Sequence, residues 1–172
     1  DELTPGVGSY GLIYNTSEDN SLSVIAQVKA YLDGKQIPYT DGAITSSADV
    51  QTSARNLLTK CDAIFAPIDN TVASAMGVLA DEAIQAKKPV YVAADSMVAD
   101  GGLATVGVNY TNLGSQTADM VLKILTGTPA GEIPVEVLRD NAVVINGNTA
   151  AAIGVDVSKY GPGDADILSS VA

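Results

Sequence analysis

The sequence predicts a three-layer α/β fold, in which a doubly wound parallel sheet lies between two layers of helices. Three observations favour this class. Short apolar segments alternate with longer amphipathic segments along most of the 172 residues. Several short segments are apolar on both faces, as is typical of parallel strands that helices cover on each side. The amphipathic segments begin with helix-capping residues and carry apolar residues at helical spacing.

The first predicted unit is a strand at residues 11–14 followed by a helix. Residues 15–21 follow the strand and are rich in Asn, Ser and Asp, which cap helix N-termini. Gly34 ends the helix where a C-terminal glycine is expected. Residues 37–39 begin the second strand. Three apolar residues recur at helical spacing within the helix: Ile25, Val28 and Leu32.

The next two predicted helices flank a third strand at residues 62–67. Ser46 and Asp49 have the spacing of a capping box and precede an apolar face that includes Val50 and Leu57. Asp69 or Asn70 can cap the helix after the strand. The apolar face of that helix contains Val72, Ala75, Met76, Leu79 and Ala83.

The fourth and fifth strands are predicted from apolar runs at residues 90–94 and 103–108. Since crossovers between parallel strands are right-handed, the five strands form one parallel sheet with helices on both faces. We expect the first strand to be central in this sheet.

The remaining residues predict one helix, two strands and a tail. The helix carries apolar residues over 113–125 and ends at Gly127. Residues 135–138 and 142–145 have strand composition. Residues 158–172 contain scattered glycine, proline and aspartate, which predict a loose C-terminal tail.

The composition excludes several classes of function. Twenty acidic residues against nine basic ones give a net charge of −11, which opposes binding to nucleic acid or to an anionic membrane. Histidine is absent, so no imidazole base or imidazole metal ligand exists. Cys61 is the single cysteine and is interpreted as a small buried hydrophobe. No metal site and no cofactor are predicted.

Polar residues that directly follow the predicted strands are the candidate ligand-binding residues. In open α/β sheets, ligands bind beyond the carboxyl ends of the strands. Amides at this edge can hold a ligand carboxylate, and carboxylates can hold an ammonium group. The alternative is that the same residues are ordinary helix caps. The candidates are Asn15, Ser17, Glu18, Asn20, Ser21, Asp69, Asn70, Asp95 and Asn109.

No catalytic constellation accompanies these candidates, so the chain is predicted not to be an enzyme. The glycine-rich phosphate-binding motifs are absent, and the loop after the first strand is acidic and free of glycine. Glu18, Asp19 and Asp69 match part of a phospho-receiver pattern, but no lysine follows the fifth strand.

Taken together, five segments resemble the substrate-binding proteins of ABC transporters. The most similar group includes tryptophan- and other aromatic-amino-acid-binding lipoproteins with a type I periplasmic-binding-protein fold. The resemblance runs from about Gly11 to Ile153. The segments that carry it are residues 14–21, 47–51, 66–75, 103–110 and 113–118.

The resemblance implies a two-lobed receptor that closes on a small molecule, an amino acid in the group that it resembles, and presents it to a membrane permease. Residues 1–157 would be the flavodoxin-like second lobe with the hinge-crossing segments, and the first lobe, roughly the N-terminal half, has no counterpart. Residues 15–21, Asp69, Asn70 and Asp95 would face the cleft, and Asn109 would begin a crossing. The parent would be extracytoplasmic, either periplasmic or anchored as a lipoprotein.

Two further expectations stay open from the sequence. The alternative function is a stand-alone flavodoxin-like domain for regulation or protein interaction. The helix over 113–125 would pack on the first lobe of the parent, so here its apolar face would fold back onto the sheet or pair with a second copy. We therefore expect self-association and weak ligand binding by this chain alone.

Overall fold

A seven-stranded sheet forms the centre of the computed structural model, which describes residues 3–138, 142–160 and 165–168. The order across the sheet is β2-β1-β3-β4-β5-β6-β7. Neighbouring strands are parallel except β5 and β6, which are antiparallel. The strands are β1 (Tyr10–Asn15), β2 (Tyr39–Ile44), β3 (Ala63–Ala66), β4 (Val90–Val92), β5 (Ala104–Gly107), β6 (Ala142–Asn146) and β7 (Asp166–Leu168).

Helices cover the sheet in two layers, so the predicted three-layer α/β class is confirmed. Leu12 and Tyr14 of β1 pack with Ile25 and Leu32 of α1 on one face. The other face packs against α2, α4 and α5 in the largest apolar cluster. The helices are α1 (Asp19–Gly34), α2 (Val50–Leu58), α3 (Asn70–Ser74), α4 (Met76–Ala86), α5 (Asp95–Ala99), α6 (Tyr110–Leu125) and α7 (Gly147–Ile153), with 3₁₀ turns at Ser47–Asp49 and Ala130–Glu132.

All five strands predicted for the core are present, with two differences. The second strand begins at Tyr39, two residues later than predicted, and runs to Ile44. Gly42 within it allows close packing of α2. A Cβ atom at Gly42 would lie 2.5 Å from Cδ1 of Leu57. The first strand lies inside the sheet, between β2 and β3, but the middle strand is β4, because five strands lie on one side of β1 and only β2 lies on the other.

Two predictions for the later residues need correction, and one helix was missed. Residues 135–138 are not a strand, since no strand in the described ranges pairs with them and Val135 and Val137 are 92% and 74% exposed. The predicted loose tail contains β7, which pairs with β6. The helix α5 at Asp95–Ala99 was not predicted. Each difference depends on tertiary pairing or burial that local composition does not reveal.

The helix α6 leaves the body of the domain after β5. None of its residues is buried, so it does not fold back onto the sheet. Gln116 and Lys123 on α6 donate hydrogen bonds to Glu136, which ties the helix to the segment that follows it. Among the described residues, no helix is long and apolar enough to cross a membrane.

Candidate functional site

The buried carboxylate of Asp69 joins the loops that follow β1 and β3. These loops are adjacent because β1 and β3 are neighbours in the sheet. Asp69 Oδ2 accepts hydrogen bonds from the Asn15 N–H and the Ser21 hydroxyl, each at 2.7 Å. Its Oδ1 accepts from the Val72 N–H at 2.9 Å and caps α3. Asp69 is 1% exposed, so this carboxylate is engaged inside the domain.

Glu18 makes a second connection between the same two loops. Its Oε2 accepts from the backbone and side-chain N–H groups of Asn70, both at 2.9 Å. Its Oε1 accepts from the Thr71 N–H at 3.0 Å and the Thr71 hydroxyl at 2.9 Å. Partial burial raises the pKa of Glu18, but these four hydrogen bonds outweigh it and hold the pKa below its ordinary value.

Three more candidates complete this cluster. The Asn15 side chain donates from Nδ2 to the Thr71 hydroxyl at 2.7 Å and accepts from the Ser17 N–H at 2.8 Å. Asn20 donates from Nδ2 to the carbonyl of Ile68 at 2.7 Å. The structure thus brings seven of the nine predicted site residues together in the two adjoining loops, and Asn20 is held there by Ile68. The other six form one hydrogen-bonded group with Thr71: Asn15, Ser17, Glu18, Ser21, Asp69 and Asn70.

The other two candidates lie side by side at the next part of the same edge. Ala94 and Val108 form a parallel β-bridge, so the residues that follow them, Asp95 and Asn109, leave the sheet together. Asp95 accepts from the Ser96 N–H at 2.8 Å, and Asn109 caps α6 by accepting from the Asn112 N–H at 3.0 Å. Both are half-buried, and within the described residues neither bonds to the cluster around Asp69.

Thr71 is the member of the cluster that the sequence did not predict. Its hydroxyl accepts from Asn15 and donates to Glu18, so it connects the two loops. The available signal was its position two residues after the capping Asp69. Helix-cap rules assign a role only to the backbone N–H group at such a position. Whether the Thr71 side chain forms hydrogen bonds depends on its tertiary neighbours.

This edge of the sheet is chemically a polar rim. Asp69 and Glu18 hold the two loops in place, whereas Ser17 and Asn70 are exposed on the rim. Among the described residues there is no group of three or more acidic or cysteine side chains that could hold a metal ion. The rim therefore offers amides, hydroxyls and carboxylates that suit a small molecule with polar ends.

Comparison with known proteins identifies the family of this chain. The family model for ABC transporter substrate binding proteins matches residues 1–160. A tyrosine-binding protein of Clostridioides difficile is 30% identical over 151 residues, which is 88% of this chain and 44% of that protein.

Two solved structures resemble the chain closely. The complex of an ABC domain with L-Trp from Streptococcus pneumonia has a TM-score of 0.84 at 32% identity, over 96% of this chain and 57% of the other. A conserved domain protein of Vibrio cholerae has a TM-score of 0.85 at 37% identity, over 96% and 56%. The chain spans about half the length of each of these proteins. It belongs to the family of ABC transporter substrate-binding proteins.

Proposed function

We propose that this chain is one lobe of an extracytoplasmic receptor that captures an aromatic amino acid for an ABC transporter. The observation that carries the proposal is the likeness, at 32% identity and a TM-score of 0.84, to a protein solved with L-Trp. The tyrosine-binding relative supports the same ligand class. The family match also favours a receptor over a stand-alone regulatory domain.

Within this proposal, the nine rim residues have two kinds of role. Asp95, Asn109, Ser17 and Asn70 contact the ligand, because they are exposed or half-buried at the carboxyl edge of the sheet. The buried residues Asn15, Ser21 and Asp69 position the rim, together with Glu18 and Asn20. The aromatic side chain of the ligand then requires a second wall that this lobe does not supply.

A second lobe follows from the physics of enclosure. Pockets for small molecules commonly bury about 70–90% of the surface of the ligand. A single rim leaves one face of the ligand in water, where polar contacts are weaker. The other half of the longer protein would close over the rim, exclude water and present the loaded receptor to a permease. We place the receptor in the periplasm or on a lipid anchor outside the cytoplasmic membrane.

Titration calorimetry tests the proposal. The longer protein is expected to bind L-Trp or L-Tyr and to bind L-Lys much more weakly. The 172-residue chain is expected to bind each of these amino acids poorly. Binding of no aromatic amino acid by the longer protein would contradict the proposed ligand class. Tight binding by the 172-residue chain would show instead that one lobe is sufficient.

We further propose that this chain self-associates through α6. Leu122 and Leu125 on this helix are 59% and 78% exposed, and Val121 and Ile124 are nearly half exposed. An uncovered apolar face of this kind is a typical contact surface. Sedimentation velocity over a range of concentrations tests the proposal, and a strictly monomeric chain would contradict it.

A further inference from the structure

Asn146 and Gly147 form the single Asn-Gly dipeptide of the sequence, at the junction of β6 and α7. Asparagine is among the chemically less durable residues of proteins. The backbone nitrogen of the next residue can attack its side-chain carbonyl carbon, most readily when that residue is glycine, which has no Cβ to block the approach. Asn-Gly usually marks a tight turn. Here it begins a helix, and the surrounding contacts explain both residues.

The side-chain amide of Asn146 uses both its acceptor and its donor. Oδ1 accepts a hydrogen bond from the Thr149 N–H at 3.0 Å and caps α7. Nδ2 donates to the carbonyl of Val98, near the end of α5, at 2.8 Å. Asn146 is only 8% exposed. An ionised aspartate could keep the first of these bonds but not the second, so the contacts favour asparagine at this position.

The strand β7 favours glycine at position 147. A Cβ atom there would lie 3.1 Å from Cγ2 of Ile167 and 3.3 Å from the carbonyl oxygen of Leu168. Both residues belong to β7, and Leu168 is also the partner of Asn146 in the register. A side chain at position 147 would therefore push β7 away. Two separate packing requirements thus place a reactive dipeptide at this junction.

The same contacts protect the dipeptide in the folded domain. Attack by the Gly147 nitrogen requires the Asn146 side chain to turn back, so both of its hydrogen bonds must break first. The strand β7 lies against Gly147 and restrains this movement. However, β7 has three residues, is at the edge of the sheet, and Ile167 is 40% exposed. Short edge elements of this kind open at a low free energy.

We propose that Asn146-Gly147 is a site of spontaneous covalent modification, at which opening of β7 permits deamidation to aspartate and isoaspartate. The Gly147 nitrogen bonds to Cγ of Asn146, and the side-chain amide bond breaks. The amide nitrogen leaves as ammonia with the proton of the Gly147 N–H. One water molecule then opens the five-membered ring. Cleavage on the side-chain carbon gives aspartate, and cleavage on the main-chain carbon gives isoaspartate.

The modified chain does not recover the original packing. A carboxylate oxygen then faces the carbonyl of Val98, and two acceptors repel each other in a buried place. Isoaspartate also lengthens the backbone by one carbon atom where β6 meets α7. Deamidation is therefore an irreversible mark that weakens the contact between Asn146 and α5, and opening of β7 sets its rate.

Peptide mass spectrometry of the 172-residue chain tests the proposal. Samples are incubated at neutral pH, either folded or in guanidinium chloride, and the conversion of Asn146 is followed. Asn148 is the matched control, because it lies in the same peptide and threonine follows it. We expect Asn146 to convert at least about a hundredfold faster in the unfolded chain than in the folded one. Equal rates in the two states, or equal rates of the two asparagines when unfolded, would overturn the proposal.

Two glycine substitutions separate local opening of β7 from global unfolding. Ile167→Gly weakens β7, whereas Val24→Gly weakens α1, where Val24 is 37% exposed. In the folded protein, Ile167→Gly should speed the conversion of Asn146 about fivefold, the factor expected for 1 kcal/mol. Val24→Gly should leave the rate unchanged. Equal acceleration by both substitutions would assign the reaction to global unfolding and overturn the role of β7.

The effect of the product is measured on Asn146→Asp. Its melting temperature should fall by about 3 °C, because the variant loses the donor to Val98. Asn148→Asp is the control, since Asn148 is exposed, and should not lower the melting temperature. An unchanged melting temperature of Asn146→Asp would overturn the inference that deamidation weakens the domain.

None of these measurements involves an amino acid ligand, so they do not depend on whether the ligand proposal succeeds.

Discussion

The hydroxyl of Ser21 donates a hydrogen bond of 2.7 Å to the carboxylate of Asp69, and both side chains are buried. Ser21 lies in the first turn of α1, and Asp69 caps α3. This contact fixes the start of one helix against the start of another at the carboxyl edge of the sheet. The rim is therefore held in shape before any ligand arrives.

Asp69→Ala should lower the free energy of unfolding by about 2–3 kcal/mol, because it leaves the Asn15 N–H and the Ser21 hydroxyl buried without an acceptor. Urea denaturation measures the loss. Asp95→Ala is the matched control and should change stability by less than about 0.5 kcal/mol, since in the described part of the chain Asp95 bonds only to its neighbouring Ser96. Equal effects of the two variants would contradict the positioning role of Asp69.

Ligand affinity should separate from stability at other rim positions. In the longer protein, Asp95→Ala removes a proposed ligand contact, and Asn20→Ala removes the bond that positions its loop on Ile68. Each is expected to weaken binding of the amino acid by about tenfold, the equivalent of 1.4 kcal/mol. Asp69→Ala should weaken binding as well, through disorder of the rim. Titration calorimetry measures the affinity of each variant for the amino acid. Unchanged affinity in all three variants would mean that these residues are only helix caps.

Acid should weaken the domain partly through Glu18. Its pKa is lowered in the folded protein from an ordinary value of 4.5, because its hydrogen bonds from Asn70 and Thr71 outweigh the effect of burial. The unfolded chain thus binds the proton more readily as the pH falls. The contribution of Glu18 is complete above pH 4.5 and is lost as the pH falls through the lowered folded-state pKa.

Glu18→Gln should therefore lose stability at neutral pH and show a shallower decline of stability below about pH 4.5. Denaturation at a series of pH values measures both effects. Asp49 and Asp62 also have lowered pKa values and remain in the variant, so the difference between the two curves isolates Glu18. Parallel curves would contradict the prediction.

Thr105 has a buried hydroxyl without a hydrogen-bond partner in the part of the chain that the structure describes. Thr105→Val keeps the shape and removes this group, so we expect a gain of about 1 kcal/mol in unfolding free energy. Thr149→Val is the control and should lose about 1 kcal/mol, because its hydroxyl donates to the carbonyl of Gly101 at 3.0 Å. A loss at both positions would show that Thr105 has a partner in solution.

The self-association of this chain should depend on the apolar face of α6. Leu122→Glu combined with Leu125→Lys is expected to yield a monomer with an unchanged melting temperature, since neither leucine is buried. Sedimentation velocity checks the assembly. Val78→Glu on α4 is the control and should leave the association constant unaltered.

The sequence predicted the layers of the fold well because their signals are local. Ile64, Val90 and Val92 belong to runs that are apolar on both faces, and such runs indicate inner parallel strands. Residues 135–138 also have strand composition, yet a strand needs a paired neighbour, and among the described residues none pairs with them. Conversely, β7 forms in a segment whose composition suggests a tail, because it pairs with the backbone of β6 at the edge of the sheet.

The position of the polar rim was predictable from the sequence, but the contacts within it were not. The rule for parallel sheets locates the rim, and the capping residues name most of its members. Some carboxylates form hydrogen bonds inside the domain and are not free for a ligand. Their identity depends on how the loops after β1 and β3 meet. In that contact, Asp69 accepts a hydrogen bond from the Asn15 N–H, and the Thr71 hydroxyl accepts one from the Asn15 side chain. Asp95 lies outside the contact, beside Asn109.

The antiparallel pairing of β5 and β6 makes everything between them a removable insertion. Gly107 and Ala142 face each other in the register, so their Cα atoms are about 5 Å apart, a gap that a two-residue hairpin turn spans. Replacing residues 108–141 with such a turn would yield a smaller domain that keeps all seven strands and loses α6. Because β5 and β6 are paired, residues 108–141 are attached to the sheet through two adjacent strands. These two strands can bend together but resist twisting relative to each other.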